Sequence, residues 1–257
     1  MVRGFEVTTG LVIQQGIWED SATAKHKLGT RMQLADGRVF YYALNGAAAG
    51  VAGTLHECLP AVANHTNVNF AAAAAIGATS VGLVDGGTAA TANQYAEGYL
   101  GVQDGTGEGH YYKVKASTAT TSASDTLTLT LYDPIRVAVV ASGTSEGSAI
   151  FNPYYKTVKA ATVTNMPVGL CNFVATASYY FWLQTWGPAI VLGSADIATV
   201  GEPLTVHTTD GSVGYNYATI TSQATQVRAN TYTEVGTALG QVTASGEHTP
   251  IFLRINC

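Results

Sequence analysis

The residues whose type and spacing best fit a chemical task are Gly143-Thr144-Ser145-Glu146-Gly147, which match the G-x-S-x-G pattern of a nucleophile elbow. That motif works when a strand enters and a helix leaves, because the sharp turn exposes the serine and the helix start supports the oxyanion. Arg136–Ala141 could supply the strand, but Ser148-Ala149-Ile150-Phe151-Asn152-Pro153 is poorly suited to begin a helix. In a chain this rich in Gly, Ser and Thr, the match is one that chance supplies. The six histidines, His26, His56, His65, His110, His207 and His248, are scattered. His56 and Cys58 are two apart, which on a helix would put them on different faces, and the paired spacings of a zinc site are missing. Gly105-Thr106-Gly107-Glu108-Gly109 lacks the Lys and the following helix of a phosphate loop. Asp36, Asp85, Asp104, Asp125 and Asp210 fall in evident turns, where their side chains accept local backbone hydrogen bonds. The reading is therefore of a non-enzyme, with no catalytic residue, no metal ligand and no cofactor.

Composition narrows the remaining possibilities. Charged residues make up 11% of the 257 residues and hydrophobic ones 47%. Ordinary soluble domains carry about 25% charge. Low charge with normal hydrophobicity excludes disorder, and a surface so poor in charge suits a protein whose neighbours cover much of it. The net charge of −5 gives no general attraction to nucleic acid. Lys25, Lys27, Arg31 and Arg38 form a small basic stretch that reads as solvated or partner-facing. Three cysteines, Cys58, Cys171 and Cys257, make no disulfide framework. MVRGFEVTTG lacks the apolar core of a signal peptide, and no run reaches the roughly 18 apolar residues of a spanning helix. The expectation is a chain made in a reducing cytoplasm, with free thiols and no membrane association.

The elements that would position these residues are short and turn-bounded. Residues 1–27 read as an extended N-terminal arm with little periodicity, in which Trp18 is either an interface anchor or a cap on the chain's own core. Ala35-Asp36-Gly37 between Leu28–Leu34 and Arg38–Ala43 predicts a hairpin. Leu55–Asn64 is the best helix candidate, limited to a turn or two by Pro60. From Thr79 onward, strand-like runs recur about every ten residues between turn clusters. They include Ser80–Val84, Gly98–Gln103, His110–Lys115, Thr126–Tyr132, Arg136–Ala141 and Thr157–Val163. The alternating Thr126–Leu131 predicts leucines inward and a threonine row outward. Ala177–Trp186 carries rings on both faces, one set for the core and the other for a packed loop, a partner or a sugar. Ala189–Leu192, Pro203–His207, Tyr215–Thr221, Val235–Val242 and Pro250–Ile255 follow. The predicted fold is all-β, an antiparallel sandwich or barrel with Gly-rich turns and at most one or two short helices. A first β-rich domain over 28–165 and a second, small barrel-like one over 166–257 are expected, with an unmarked boundary.

Several segments together resemble the head-decoration (capsid-stabilising) proteins of tailed bacteriophages. They are Leu28-Gly29-Thr30-Arg31 with Ala35-Asp36-Gly37-Arg38-Val39-Phe40-Tyr41-Tyr42-Ala43, Ala92–Leu100, Gly107–Tyr112, Leu131–Ile135, Tyr180–Pro188 and Val235–Gly240. The resemblance implies a β-rich virion protein, made in the host cytoplasm and added to the capsid exterior. Its partners would be the major capsid protein and further copies of itself, a homotrimer being favoured, with no nucleic acid or membrane involved. Tyr, Trp and Arg dominate the energetics of such contacts. Trp18, Lys25, Lys27 and Arg31 are therefore the candidate partner-binding residues, in or just after an arm that orders when it meets the shell. A phage tail or fibre protein, or a carbohydrate-binding β-module using Tyr179–Trp186, is the alternative.

Overall fold

A computed structural model describes residues 14–121, 124–141, 143–160, 165–194, 197, 199–207, 210–215, 233–242, 244 and 246–256. The chain is all-β and antiparallel, as the turn spacing predicted, and it divides into two compact units. Its strands are β1 (Arg31–Gln33), β2 (Val39–Leu44), β3 (Thr54–Glu57), β4 (Val68–Asn69), β5 (Ser80–Val84), β6 (Tyr99–Asp104), β7 (Tyr111–Ser117) and β8 (Thr126–Leu131). They continue as β9 (Glu146–Ile150), β10 (Val158–Lys159), β11 (Pro167–Cys171), β12 (Tyr180–Leu192), β13 (Pro203–Val206), β14 (Val213–Gly214), β15 (Glu234–Ala238) and β16 (His248–Arg254). Among the described residues no helix is long and apolar enough to cross a membrane.

The expected domain boundaries differ from the observed ones. One unit joins residues 1–59 to 154–257, and the other is the uninterrupted stretch Pro60–Pro153. The reason is strand pairing. β2 pairs with β12, and β3 pairs with both β10 and β11, so strands on either side of the inserted stretch share one sheet. A proline stands at each junction, where a residue without an N–H donor can leave a ladder cheaply.

In the discontinuous unit the described strands form a ten-stranded sheet curved into a half-barrel, ordered β10-β3-β11-β12-β16-β15-β13-β14, with β1 and β2 attached through β12. The Asp-Gly hairpin forms as predicted. Leu34 N–H donates to Arg38 O at 2.9 Å, Gly37 N–H donates to Leu34 O at 3.0 Å, and Gly37 takes φ +89°. This is a three-residue loop whose last position needs a left-handed backbone. The helix expected over Leu55–Asn64 is replaced by β3 and a 3-10 turn at Ala63–His65. Leu55 and His56 face opposite ways into two different packed clusters, and neighbouring strands outweigh local helix preference. Ala177–Trp186 and Ala189–Leu192 merge into the single strand β12. Pro188 lies just past the last β2 pairing, at Trp186, an edge position that tolerates a missing donor. The run expected over Tyr215–Thr221 falls, after Tyr215, outside the described residues.

Pro60–Pro153 forms a nearly closed six-stranded barrel in the order β4-β9-β6-β7-β8-β5. A bridge between Phe70 and Leu83 brings the end of β4 back to β5. Leu127, Leu129 and Leu131 point inward and the threonines of β8 point outward, the alternation read from the sequence. Arg136–Ala141 is not a strand; Val139 makes an isolated bridge to Ala74. Gly105 has φ +70°, and a Cβ there would stand 1.5 Å from the Thr144 carbonyl oxygen. Replacing Gly105 by Ala is expected to cost about 2–4 kcal/mol, since backbone strain and a backbone clash combine. Urea unfolding of the intact chain measures this, and an unchanged midpoint would contradict the close approach.

Candidate protein-contact surface

The N-terminal residues that the structure describes do not stand away as an arm. Residues 14–27 lie as a strap against β2 and β12, with Ile17 buried among Met32, Leu34, Phe40, Tyr42 and Trp182. Gln15 is the clamp. Its Oε1 accepts the Tyr42 hydroxyl at 2.7 Å, its Nε2 donates to the carbonyls of Tyr180 and Glu19 at 2.8 Å each, and its carbonyl accepts Trp182 Nε1 at 3.0 Å. Lys25 N–H donates to the Tyr42 hydroxyl at 3.0 Å, and the Asp20 carboxylate accepts the Thr176 N–H at 2.6 Å. The His26 ring packs on Tyr42 and Trp182 with centroids 5.2 Å apart in both cases, and burial lowers its pKa. Trp182 is thus the core ring under a packed segment of its own chain, one of the three roles left open for the aromatic run.

The four residues singled out in the sequence keep different degrees of freedom. Trp18 is 55% exposed, in contrast to its buried neighbour Ile17, so it does not cap the core. Lys25 and Lys27 are exposed, and Arg31 is half-buried on the edge strand β1, donating to Gln33 Oε1 at 3.1 Å. Arg38 turns back to Asp36 at 2.7 Å. Burial alone would raise the Asp36 pKa, but hydrogen bonds and charge from Arg38 outweigh it and hold that carboxyl below its usual range.

A more extensive surface lies at the other end of β12. Along this half of the strand Val191 enters the core with Ile251 and Leu253 of β16. The alternate positions form the outward face. Register sets Trp186 against Arg254, Pro188 against Phe252, Ile190 against Pro250 and Leu192 against His248. Thr237 of β15 pairs with Phe252, and Leu239 N–H donates to Pro250 O at 2.9 Å. The Trp186 and Phe252 rings meet edge-on, with centroids 5.6 Å apart. Ile190 is 55% exposed and Leu239 48%. An Arg254–Glu234 ion pair stands at the rim. An apolar sheet face of this kind resembles the inner layer of a sandwich without its second layer.

The residues with chemical potential are held in structural roles. Ser145 is buried, donates to Thr106 O at 2.9 Å and accepts the Val140 N–H at 3.2 Å; strand β9 follows it, not a helix. In the barrel, His65 Nδ1 lies 2.5 Å from the Tyr95 hydroxyl and Nε2 lies 2.6 Å from Thr88 O. Asp85 Oδ1 is 3.4 Å from that Nε2, while Asp85 also accepts the Gly87 N–H at 2.8 Å and the Thr120 hydroxyl. Burial pushes the Asp85 pKa up, but these hydrogen bonds and His65 together bring it below the usual range. All four side chains are buried, so the cluster ties loops together rather than meeting a substrate. Nothing in the spacing of His65, Asp85, Tyr95 and Thr120 announces it. Among the described residues no three His, Cys, Asp or Glu side chains converge on a metal position. Cys171 is buried, with its pKa pushed up to about 11 by burial, and Cys58 is raised for the same reason; Cys257 lies outside the described residues.

Compared with protein-family models, curated proteins and solved structures, the chain matches none. The outward face of β12, β15 and β16 is what sequence reasoning missed. Its signal was the alternation Trp186, Pro188, Ile190, Leu192, which the separate runs Ala177–Trp186 and Ala189–Leu192 divide.

Two outcomes follow. Gln15→Ala removes three hydrogen bonds of the strap and leaves buried partners unsatisfied, so a loss of about 2–4 kcal/mol is expected. Tryptic cleavage at Lys25 and Lys27 should accelerate with it, and equal cleavage of the variant and the native chain would count against the clamp. The second concerns His56, whose Nδ1 lies 3.2 Å from Thr157 Oγ1. That hydroxyl donates onward to Leu44 O at 3.4 Å, so Nδ1 carries the hydrogen and the buried Nε2 has no partner among the described residues. Burial first, then the charge of Lys159, depresses its pKa to about 4. A depressed histidine contributes stability that is complete above the unfolded value of about 6.5 and is lost as pH falls towards 4. The contribution is about 3 kcal/mol. Denaturant midpoints should therefore fall between those pH values, and His56→Gln should flatten that part of the profile.

Proposed function

We propose that this protein is a structural, non-enzymatic component of a virus particle, a head-decoration protein that binds the outside of a phage capsid and bridges its major subunits. The reading is supported above all by the outward face of β12, β15 and β16, where Trp186, Pro188, Ile190, Leu239 and Phe252 form an apolar surface rimmed by one ion pair. Association driven by such a surface needs area and shape but no reactive group. With charged residues at 11% of the chain, little electrostatic repulsion opposes the contact. Trp18, Lys25 and Lys27, exposed on the strap, are a second contact region, since tryptophan is enriched among the residues that anchor interfaces. The sequence resemblance to phage decoration proteins supplies the partner, the major capsid protein, and a homotrimer as the favoured assembly.

The test is the amount of this protein in gradient-purified particles, measured as a ratio to the most abundant shell subunit. A ratio near parity, or hundreds of copies, agrees with decoration; a handful of copies moves the protein to the tail, and complete absence removes the virion reading. Ile190→Glu and Phe252→Glu place a charge in the apolar face and are expected to lower occupancy by about tenfold or more, the loss of about 1.4 kcal/mol or more per contact. Trp18→Ala tests the strap separately. Full occupancy by all three variants would refute the assignment of these surfaces.

A further inference from the structure

One part of the barrel's outer wall is a prepared aromatic surface that the barrel core does not need. Leu100 and Val102 of β6 and Tyr112 and Val114 of β7 enter the barrel, and the intervening positions face out. Register sets Tyr99 against Lys113 and Gly101 against Tyr111. With no side chain at position 101, the Tyr111 ring lies over that backbone; a Cβ there would be 3.5 Å from Tyr111 Cδ2. Tyr111 stacks on Tyr99 with centroids 4.7 Å apart and planes within 16°. Lys113 Nζ lies over the Tyr99 ring, 5.2 Å from its centroid, and 3.5 Å from Glu97 Oε2. The other oxygen of Glu97 accepts the Tyr132 hydroxyl. The stack is therefore fixed from both sides, yet Tyr111 remains 56% exposed.

Such an arrangement defines the chemistry of what it holds. A ring locked by stacking presents its open face at low entropic cost. Lys113, the cation that touches the stack, is paired with Glu97, so no unpaired charge lies directly on the rings. Stacking of nucleobases relies on a positive groove along the backbone, and the chain carries −5 overall. The matching ligand is neutral, with a flat apolar face for the ring and a polar edge for its surroundings. The phenolic hydroxyls of Tyr99 and Tyr111 supply that polar edge. A hexopyranose has both features, its axial C–H groups on one face and its hydroxyls at the rim.

We infer that the Tyr99–Tyr111 surface binds a neutral hexopyranose unit of a glycan or polysaccharide. The site is separate from the surfaces assigned to shell binding, and it stands or falls without them. The experiment uses the full-length chain on an array of neutral glycans, with affinities then measured by calorimetry against the oligosaccharides that bind. A proline-rich peptide and an oligothymidylate serve as probes of the other ring-stacking ligands. Binding of a neutral oligosaccharide is expected, with Tyr111→Ala weakening it by about tenfold, equivalent to about 1.4 kcal/mol, and with an unchanged thermal midpoint. Tyr111→Thr, which keeps a strand-favouring residue, should show the same loss, and Tyr111→Trp should retain binding. The inference is overturned if no neutral glycan binds, if the Tyr111 variants bind as tightly as the native chain, or if only the peptide or the oligonucleotide is held.

Discussion

The architecture of the larger unit depends on the backbone pairing of β12, which runs its whole length with one register shift, between Gln184 and Trp186. Its first half pairs with β2, it meets β11 at Gln184, and its second half pairs with β16. One strand therefore sets the register of segments from both ends of the chain. Because side chains alternate with a period of two, a slip of one residue along β12 would exchange every inward and outward group on it. Trp182 would leave the strap and Val191 would leave the core. Gln184, buried and donating to the carbonyls of Trp186 at 3.2 Å and Pro188 at 2.9 Å, holds the strand through the Gly187-Pro188 step where such a slip would be easiest.

The fold class was legible because turn residues and two-residue alternation are local. Thr126–Leu131 and the Asp36-Gly37 turn appear in the structure as they read in the sequence. The division into units was not legible, because it is decided by which strands meet, and β2 and β12 carry no mark of each other. Pro60 and Pro153 bracket the inserted barrel, yet a proline reads equally well as a helix stop. Leu55–Asn64 reads as helix from composition alone; only its neighbours make Thr54–Glu57 a strand. The proposed contact surfaces were half legible. Trp18 and the lysines could be named from residue type, while the β12–β16 face depends on cross-strand pairs that no single segment displays.

The described residues put their polar chemistry to internal use. Ser145, His65, Asp85 and Gln15 are each enclosed and hydrogen-bonded within the chain. What reaches solvent is instead short of charge, and its exposed apolar side chains include Trp18 on the strap and Ile190 and Leu239 on the outward sheet face. Burial of such surface is non-directional and additive with area, which suits the structural role proposed. The exposed tyrosine stack of the barrel is of another kind, small, rigid and bordered by polar groups, and it suits recognition of a compact ligand more than a broad interface.

The insertion of Pro60–Pro153 between β3 and β10 also orders events in time. Translation delivers β1, β2 and β3 first, but β2 pairs with β12, more than a barrel's length later in the chain. The barrel strands, by contrast, are all contiguous, so every partner they need has left the ribosome before β10 is made. Domains fold largely as units during synthesis, and distant pairings are slow to form. The inner segment can thus settle early and bring β3 and β10, which flank it, close together. It shortens the search that the outer strands must complete once Tyr180–Leu192 emerges.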